Sequence, residues 1–268
     1  MTMPTATPLI SFIVINYRSR HLLPECLASL SRGCRTPREV IIVNNDHNPL
    51  PRQLFGDAAA IRIIENGRNR GFGAASNRGA ASARGAFLCF FNPDARIVGK
   101  NFSSILSFFE KDATLGLVGG RLVQKNGAVQ PWSAGEEVTP WNIIWNKATS
   151  RHMRMPWHSE KNRSVAWISG AAMVIRKEIF DALGGFDERF FLYFEDVDLC
   201  RRARDLGKKI LYVPSVRIIH HGGGSVKSRA AQKRHYDASQ ALYFDKHYGM
   251  VTTFLLRISR FFYRLFAL

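Results

Sequence analysis

The sequence predicts an α/β fold with a doubly wound, mainly parallel β-sheet flanked by helices and followed by a basic amphipathic helical extension. Two observations carry this prediction. Apolar runs rich in β-branched residues alternate with segments whose apolar residues have helical spacing, which is the pattern of parallel strands joined by crossover helices. The 268 residues, 46% of them hydrophobic, also suffice for one large core.

The elements of the first half follow in order. LISFIVINY (9–17) is predicted as a strand covered on both faces, because it is continuous and rich in β-branched residues. RHLLPECLASLSRG then has helical spacing. The predicted elements after it are the strands EVIIVNN (39–45) and IRIIEN (61–66), the small-residue helix GAASNRGAASARG and the strand AFLCFFNPD.

The second half opens with a stretch, 121–164, that lacks periodicity and is predicted as a long loop region. VAWISGAAMVIRKEIFDALGGF (165–186) then predicts a strand and a short helix. FFLYFEDVDLCRRARDLGKKILYVP predicts a helix from about Glu195 to Leu206, ended by Gly207, and another strand. The loop region holds four of the five tryptophans: Trp132, Trp141, Trp145 and Trp157.

Charge and cysteine usage bound the setting of the protein. The net charge is +17, and residues 201–268 carry 14 Lys and Arg against 3 Asp and Glu, which favours an anionic surface as a partner. The N-terminal segment lacks a basic region and a spanning apolar run. The four cysteines form no CxxC pair. We therefore expect a cytoplasmic protein.

Short polar side chains end several predicted strands. Asn16, Asn44, Asn45 and Asp94 all occupy such positions. In doubly wound sheets, ligands bind outside the carboxyl ends of the strands, so these residues together predict one shared rim. Taken singly, each is equally compatible with an ordinary turn.

Asp94 is the first candidate for chemistry. It follows Asn92 and Pro93 at the end of an apolar strand. One carboxylate that shares a divalent cation with substrate phosphates is a usual arrangement for Mg²⁺ or Mn²⁺. On the tripeptide alone, an Asn-Pro-Asp turn is the favoured alternative.

The second candidate is FEDVDLCRRAR, in which Glu195, Asp196 and Asp198 open a helix. The helix dipole favours acids there, but three carboxylates exceed what capping needs. Asp196 and Asp198 point to different sides of a helix, so one can face the cleft while the other pairs with Arg201 or Arg202. A carboxylate at the cleft can act as a general base.

Two further motifs are weaker by themselves. In VRIIHHGGGSV a predicted strand ends in two histidines followed by three glycines. The histidines could provide a metal ligand, or they could simply be a solvated pair. NRGFGAASNRG contains G-x-G-x-x-S, but five residues separate it from the strand, unlike a dinucleotide fingerprint. We interpret it as a helix N-terminus near phosphate or base, with Asn69 and Asn77 as polar contacts.

Six stretches in chain order carry a resemblance to a known family. They are IVINYRSRHLLPECLASL, EVIIVNND, NRGFGAASNRGA, FFNPDARI, SGAAMVIRKEIFDALGGFDERFFLYFEDVDLCRRARDLGKKILYVP and IIHHGGGS. Together they resemble the family 2 glycosyltransferases, most closely the bacterial rhamnosyltransferases that build O-antigen and other cell-wall polysaccharides. The resemblance spans roughly residues 9–225, and GGFDERFFLYFEDVDLCRR is its most specific block.

The resemblance implies a GT-A domain over residues 1–225, with a nucleotide-binding half at about 9–120 and an acceptor and catalytic half at 121–225. Residues 226–268 form the basic helical extension. The implied activity is a single inverting displacement from a nucleotide-diphosphate sugar, with dTDP-rhamnose favoured. A retaining double displacement would also need a positioned nucleophile.

The resemblance also implies roles for individual residues. Asp196 matches the catalytic base, and Asp94 and His220 match ligands of the Mg²⁺ or Mn²⁺ ion. Donor contacts are expected from Asn16 and Asn44 at the base, from Asn69 and Asn77, and from Arg201 near the diphosphate. Asn92, Glu195 and Gly170 are expected to complete the cleft.

This sequence departs from the family at two points. Asn44 stands where the family usually has Asp, and NPD stands where the family has DXD. The alternative function is therefore a catalytically silent nucleotide-sugar-binding protein, which the joint presence of Asp94, Asp196 and His220 disfavours.

The C-terminal segment MVTTFLLRISRFFYRLFAL (250–268) places Arg257, Arg260 and Arg264 among apolar residues, as in a helix lying in a membrane interface. Packing on the protein body is the alternative. We expect a peripheral protein on the inner face of the cell membrane, acting on a lipid-linked glycan acceptor. Lys227, Arg229, Lys233 and Arg234 would add attraction to anionic lipids.

Other classes are less well supported. The charge alone would suit a nucleic-acid binder, but the basic excess lies beside an apolar tail, so we expect no nucleic acid. A nucleotide-sugar dehydrogenase would need a glycine fingerprint next to its strand. The tryptophans of 132–157 could cover the acceptor, stack on its sugars or lie in the core. The sequence leaves the oligomeric state open.

Overall fold

The computed structural model describes residues 9–55, 61–142, 155–222 and 228–266. In the first part, four parallel strands lie in the order β3-β2-β1-β4. They are β1 (Ile10–Asn16), β2 (Arg38–Asn44), β3 (Ile61–Glu65) and β4 (Phe87–Phe91). The helices α1 (Leu23–Gly33) and α2 (Phe72–Ala81) connect them. The predicted strands and helices of this half are confirmed.

The second part extends the sheet in the order β4-β10-β6-β11-β5. These elements are β5 (Ala95–Val98), α3 (Ser104–Lys111), β6 (Leu115–Val123), β10 (Ala172–Arg176), α4 (Lys177–Ala182), α5 (Glu195–Asp205) and β11 (Lys209–His220). Three two-residue strands complete the description: β7 (Ala134–Gly135), β8 (Arg163–Ser164) and β9 (Trp167–Ile168).

The second part is mixed rather than parallel. β10 runs antiparallel to both β4 and β6, and β5 runs antiparallel to β11. β10 starts opposite the end of β4, because Ala172 pairs with Phe91. The chain before β10 therefore already lies at the edge where the parallel strands end, which puts residues 169–171 beside the predicted rim.

β11 is one strand where the sequence predicts two. Its register against β6 shifts between Val213 and Arg217, and Pro214 lies in that interval. Proline cannot donate to a ladder, so an irregularity at this point lets the strand continue to His220. The strand therefore runs from Lys209, two residues after the Gly207 that ends α5 with φ at 72°, to the rim.

Helices cover both faces of the sheet. One hydrophobic cluster joins α1 and α3 to the sheet through residues such as Leu30 and Phe109. The cluster on the other face includes Ala75 of α2, Phe180 of α4 and Leu199 of α5. This two-sided cover explains why the central strands are buried along their whole length.

The last helix, α6 (Arg229–Phe266), has a break at Gly249, where φ is 82° and ψ is 164°. Before the break, Tyr243 and Phe244 are buried in the same cluster as α5. After it, Met250 and Phe254 are 78% and 62% exposed. Within the described ranges, no helix combines the length and apolarity that a membrane crossing requires.

The loop region predicted at 121–164 contains short regular elements. β6 continues to Val123, and Trp157 is buried, whereas Trp132 and Trp141 are exposed. Several positions of the sequence analysis lie outside the description: Trp145, the glycines at 223 and 224, Ser225, Lys227 and the side chains of Arg257, Arg260 and Arg264.

Candidate active site

The carboxyl ends of the parallel strands bring the predicted rim together. Asn16 pairs with Asn44 in the β1–β2 register, and Asn92 directly follows β4. The backbone N–H of Asn92 donates to Ala171 O at 2.9 Å. The segment after β4 and the segment before β10 are therefore neighbours at this edge.

Asp94 and His220 face each other at the rim. Asp94 Oδ1 lies 3.4 Å from His220 Nε2, and both side chains are about nine-tenths buried. Two amides orient the imidazole: His220 Nδ1 lies 2.9 Å from Gln130 Oε1, and Asn92 Nδ2 lies 3.0 Å from His220 Nε2. Nδ1 is therefore engaged by Gln130, and Nε2 is the ring nitrogen that faces Asn92 and Asp94.

The Asp94 carboxylate is stabilised as an anion. Burial pushes its pKa upward, but the hydrogen bond and charge of His220 and the N–H of Gly222, 2.9 Å from Oδ2, outweigh burial and lower the pKa. A carboxylate and a neutral imidazole that converge are suitable ligands for Mg²⁺ or Mn²⁺. Within the described ranges, no three His, Cys, Asp or Glu side chains converge, so water and phosphate oxygens would complete the coordination.

Asp196 lies at the start of α5. Its Oδ2 accepts the backbone N–H of Gly170 at 2.9 Å, and its Oδ1 accepts the N–H of Val197 at 2.8 Å. Burial raises the pKa of Asp196 above the usual Asp value, and these two N–H groups oppose the rise. The residue as a whole is partly exposed, unlike its neighbour Glu195.

Glu195 has a different environment from its neighbour. It is 6% exposed, and its Oε2 has no hydrogen-bond partner among the described residues. Burial, together with the nearby charge of Asp196, raises the pKa of Glu195 well above its usual value. The pair can therefore hold one proton on Glu195 while Asp196 stays the base.

The backbone before α5 is strained. Tyr193 and Phe194 have φ values of 71° and 67°, in the left-handed region that non-glycine residues seldom adopt. The segment is held from outside, since Phe191 O accepts the N–H of Phe72 at 3.0 Å. Strain of about 1–3 kcal/mol per residue is often found at functional sites. Here the two strained residues come directly before the carboxylates Glu195 and Asp196.

The Asp94–His220 pair and Asp196 belong to one site. Gly170, which anchors Asp196, is followed in the chain by Ala171, whose carbonyl accepts the N–H of Asn92. Asp94 is two residues after Asn92 in the chain. The structure therefore brings Asp94, Asn92, His220, Gly170 and Asp196 together at one edge.

A pocket of about 830 Å³ opens beside β1 and β2. Asp46 is the carboxylate among the described residues that line it, and Arg18, Arg20 and Arg68 bring positive charge. The remaining lining residues are Tyr17, His21, Asn45, His47, Asn48, Pro49, Leu50, Gly67 and Asn69. Aromatic, cationic and acceptor groups together suit a nucleotide.

Asn16 and Asn44 lie behind this pocket rather than in it. Both are fully buried, and Asn16 Nδ2 donates to Asn44 Oδ1 at 2.7 Å and to Asp46 Oδ2 at 2.9 Å. Asn44 is also hydrogen-bonded to Glu65. With no exposed surface, the two amides do not reach a ligand directly and instead hold Asp46 at the pocket wall.

Of the other predicted donor contacts, Asn69 lies in the pocket, whereas Asn77 and Arg201 bond to other parts of the protein. Asn69 lines the pocket and accepts the N–H of Gly71. Asn77 is engaged elsewhere, because its amide exchanges hydrogen bonds with the backbone of Phe186. Arg201 donates to Tyr248 of α6 at 2.7 Å, so a contact with the diphosphate stays a prediction.

The sequence analysis missed Asp46, together with Tyr17, Arg18 and Arg68. The available signal was the third polar residue of VNND: Asn44 is fully buried behind the pocket, whereas Asp46, like Asn45, lines it. Its carboxylate also accepts the N–H of Arg18 at 3.0 Å. Asp198 pairs with Arg202 at 2.8 Å, as the helix spacing predicts.

The sequence is similar to that of known glycosyltransferases. The model of the family described as glycosyltransferase like family 2 matches residues 7–238. The N-acetylglucosaminyl-diphospho-decaprenol L-rhamnosyltransferase of Mycobacterium tuberculosis is 26% identical over 91% of this chain and 86% of its own. The O-antigen biosynthesis protein RfbC of Myxococcus xanthus is 29% identical over 88% of this chain and 19% of its own.

Solved structures share the architecture. The mannosyltransferase PcManGT from Pyrobaculum calidifontis, in complex with GDP-Man and Mn²⁺, superposes with a TM-score of 0.62 at 17% identity, over 92% of this chain and 66% of its own. The predicted GT-A fold is thereby confirmed. Since the family match covers most of the sequence, the chain belongs to the glycosyltransferase-like family 2 and is a glycosyltransferase.

Proposed function

We propose that this protein transfers rhamnose from dTDP-rhamnose to a polyprenyl-diphosphate-linked glycan, with inversion at the anomeric carbon, in the synthesis of a cell-surface polysaccharide. The observation that carries the transferase chemistry is the Asp196 carboxylate, held by the Gly170 N–H on the same edge as Asp94 and His220.

Asp196 acts as the general base. Its Oδ2 keeps the bond to Gly170, and the carboxylate accepts the proton of the acceptor hydroxyl as that oxygen attacks the anomeric carbon. The bond from this carbon to the diphosphate breaks at the same time, and the leaving oxygen takes the electron pair. A positioned base contributes about 10²–10⁴-fold to such a step.

Asp94 and His220 would hold Mg²⁺ or Mn²⁺. When bound, the metal ion supplies positive charge for the departing diphosphate. The residues prepare for it in two ways: the Gly222 N–H helps to keep Asp94 ionised, and Gln130 orients the imidazole of His220 so that Nε2 faces the carboxylate.

The donor lies in the pocket lined by Asp46. Thymine carries an imide N–H, which a carboxylate such as Asp46 can accept, and Tyr17 offers an aromatic face. Arg18 and Arg68 then complement the diphosphate. The name of the Mycobacterium tuberculosis relative supports rhamnose as the sugar and a polyprenyl diphosphate as the carrier.

A lipid carrier on the acceptor would explain why the C-terminal end combines exposed apolar side chains with basic residues. Met250, Val251 and Phe254 are exposed apolar side chains on α6 after Gly249. Arginines follow at positions 257, 260 and 264. Such a segment can lie in the interface of an anionic membrane, which supports a peripheral location on the inner face of the cell membrane.

The test is a donor screen. Purified protein is incubated with dTDP-rhamnose, UDP-sugars and GDP-sugars, with Mg²⁺ or Mn²⁺, and released nucleoside diphosphate is measured with and without a lipid-linked acceptor mimic. Turnover of dTDP-rhamnose above the other donors is expected. Turnover of another donor would replace rhamnose. Tight donor binding without any turnover would instead support the silent nucleotide-sugar-binding protein.

A further inference from the structure

Trp132 has an environment that core packing does not explain. Its side chain is 57% exposed, although burial is the usual fate of so large an apolar ring. Its backbone is left-handed, with φ at 61°, which costs a non-glycine residue free energy. The indole is therefore held at the surface by a backbone conformation that is locally unfavourable for tryptophan.

The ring rests on a rigid support. Its centroid lies 5.1 Å from that of Trp157, at an interplanar angle of 47°. Trp157 is 4% exposed, and its carbonyl accepts the hydroxyl of the buried Tyr212 at 2.8 Å. An aromatic side chain that is supported from one side and still more than half exposed is pre-organised for a flat ligand.

The position of Trp132 links it to the reaction site. Gln130, two residues earlier, contacts the His220 imidazole at 2.9 Å. Ser133, the next residue, accepts the N–H of Ser169 at 2.9 Å, and Ser169 precedes Gly170, which anchors Asp196. Trp132 thus lies on the short segment that connects the candidate metal ligand with the candidate base.

A second observation concerns polar atoms beside the ring. Ser133 Oγ and Trp157 Nε1 are buried and have no hydrogen-bond partner among the described residues. Buried polar atoms are usually paired, so unpaired ones mark places where water or a bound molecule is expected. Both atoms lie on residues adjacent to Trp132 in the chain or in space.

We propose that the indole of Trp132 is a stacking platform for a pyranose ring of the acceptor. This inference rests on the proposed transfer to a glycan. The C–H groups on one face of a sugar suit the electron-rich face of an indole. An acceptor hydroxyl that Asp196 deprotonates belongs to a sugar near residues 130–133, which brings that ring to Trp132.

The test compares Trp132→Ala and Trp132→Phe with the matched control Trp141→Ala, since Trp141 is another exposed tryptophan at 64%. The probe is a short-chain polyprenyl diphosphate carrying N-acetylglucosamine, and its direct binding is measured with dTDP present. Trp132→Ala should weaken probe binding about tenfold, as expected for a lost aromatic contact. Trp132→Phe should restore most of it, and Trp141→Ala should bind like wild type.

Donor hydrolysis without acceptor is measured on wild type and on the control Trp141→Ala and should be equal in the two. Equal probe affinity in wild type and Trp132→Ala would overturn the platform, as would an equal loss in Trp141→Ala or a wild type that does not bind the probe. A wild type that binds the probe through Trp132 but hydrolyses no donor would support the platform and contradict the proposed function.

Discussion

Glu195 and Asp196 are adjacent carboxylates with different surroundings. Asp196 accepts two backbone N–H groups and is partly exposed, whereas Glu195 is buried with an unpaired oxygen. The pKa of each lies above its usual value, chiefly because of burial. The negative charge of Asp196 raises the pKa of Glu195 further, so the two carboxyls titrate as a coupled pair, in which the two N–H groups favour the charge on Asp196.

Glu195→Gln should therefore remove a pH dependence of stability. A carboxyl whose folded pKa is raised contributes stability that is full below its unfolded pKa and is lost as pH rises through the folded pKa. The wild type should lose stability from about pH 4 upward because of Glu195. Glu195→Gln should be more stable than wild type at pH 8 and similar at pH 4, measured by urea unfolding. A stability difference that is the same at both pH values would contradict the account.

The reacting residues were easier to predict than their partners. Asp94 and Asp196 each stand where a predicted element ends or begins, which sequence periodicity indicates directly. Asn77 and Arg201 instead bond to residues 109 and 47 positions away. No local sequence pattern contains those partners, so the sequence alone could not show which groups these two side chains contact in the fold.

At the scale of elements, the start of α2 and the segment before α5 are closely packed. Gly71 has φ at 85°, and a Cβ there would lie 2.6 Å from Phe191 O. This approach positions the strained residues that precede Glu195. The strands of the first half could be predicted because buried parallel strands are continuous apolar runs. The reversed direction of β10 could not, because its apolar sequence is compatible with either orientation.

Gly71→Ala should disturb this contact, because the Cβ meets a backbone oxygen that cannot move aside as a side chain would. We expect a loss of about 2–4 kcal/mol in unfolding free energy and reduced transfer activity. Gly67→Ala is the matched control: φ there is 64°, but nothing lies within 4 Å of the added Cβ. Its cost should be only about 1 kcal/mol. Equal effects of the two substitutions in thermal unfolding would show that the contact with Phe191 is not needed.

The contact between α5 and α6 depends on Asp198, which is fully buried. Lys246 Nζ and His247 Nε2 lie 2.7 and 2.8 Å from its Oδ1. Burial pushes the pKa of Asp198 upward, but these partners and Arg202 outweigh it and lower the pKa. Its contribution to stability is therefore present above the unfolded pKa and is lost as pH falls through the folded pKa.

Asp198→Asn should cost about 3–5 kcal/mol in unfolding free energy at pH 7, because buried cations lose their counter-charge. Asp181→Asn serves as control, since Asp181 forms an exposed pair with Lys177, worth under about 1 kcal/mol. Denaturant unfolding measures both. A loss at Asp198 no larger than the loss at Asp181 would argue against a role for this network in docking α6.

At the scale of the whole molecule, the two parts of the C-terminal helix α6 have different surroundings. Up to Tyr248 it packs into the core beside the candidate base helix, and after Gly249 its described side chains Met250, Val251 and Phe254 are exposed. We therefore propose that the membrane-binding segment begins after Gly249, which agrees with the segment 250–268 predicted from the sequence. Helical spacing alone did not show that the part of the helix before Gly249 packs into the core, because its partners on α5 are distant in the chain.

Removal of residues 250–268 should abolish binding to vesicles containing phosphatidylglycerol while the domain stays folded. Sedimentation with such vesicles measures binding, and phosphatidylcholine vesicles serve as the control for charge. Binding of the full chain should also weaken as salt rises, because each basic residue near the surface contributes about 1 kcal/mol of screened attraction. Unchanged vesicle binding after truncation would contradict the proposed role of the segment.

The central claim is that Asp196 is the base of an inverting transfer, and Asp196→Asn tests it most directly because the amide keeps the size of the carboxylate. The measurement is the rate of sugar transfer and the affinity for the donor in wild type and in this variant, with product configuration determined by NMR. We predict a rate about 10³-fold lower, donor affinity within about twofold, and an inverted anomeric centre in the wild-type product. A variant that transfers at the wild-type rate, or a product with retained configuration, would contradict the account.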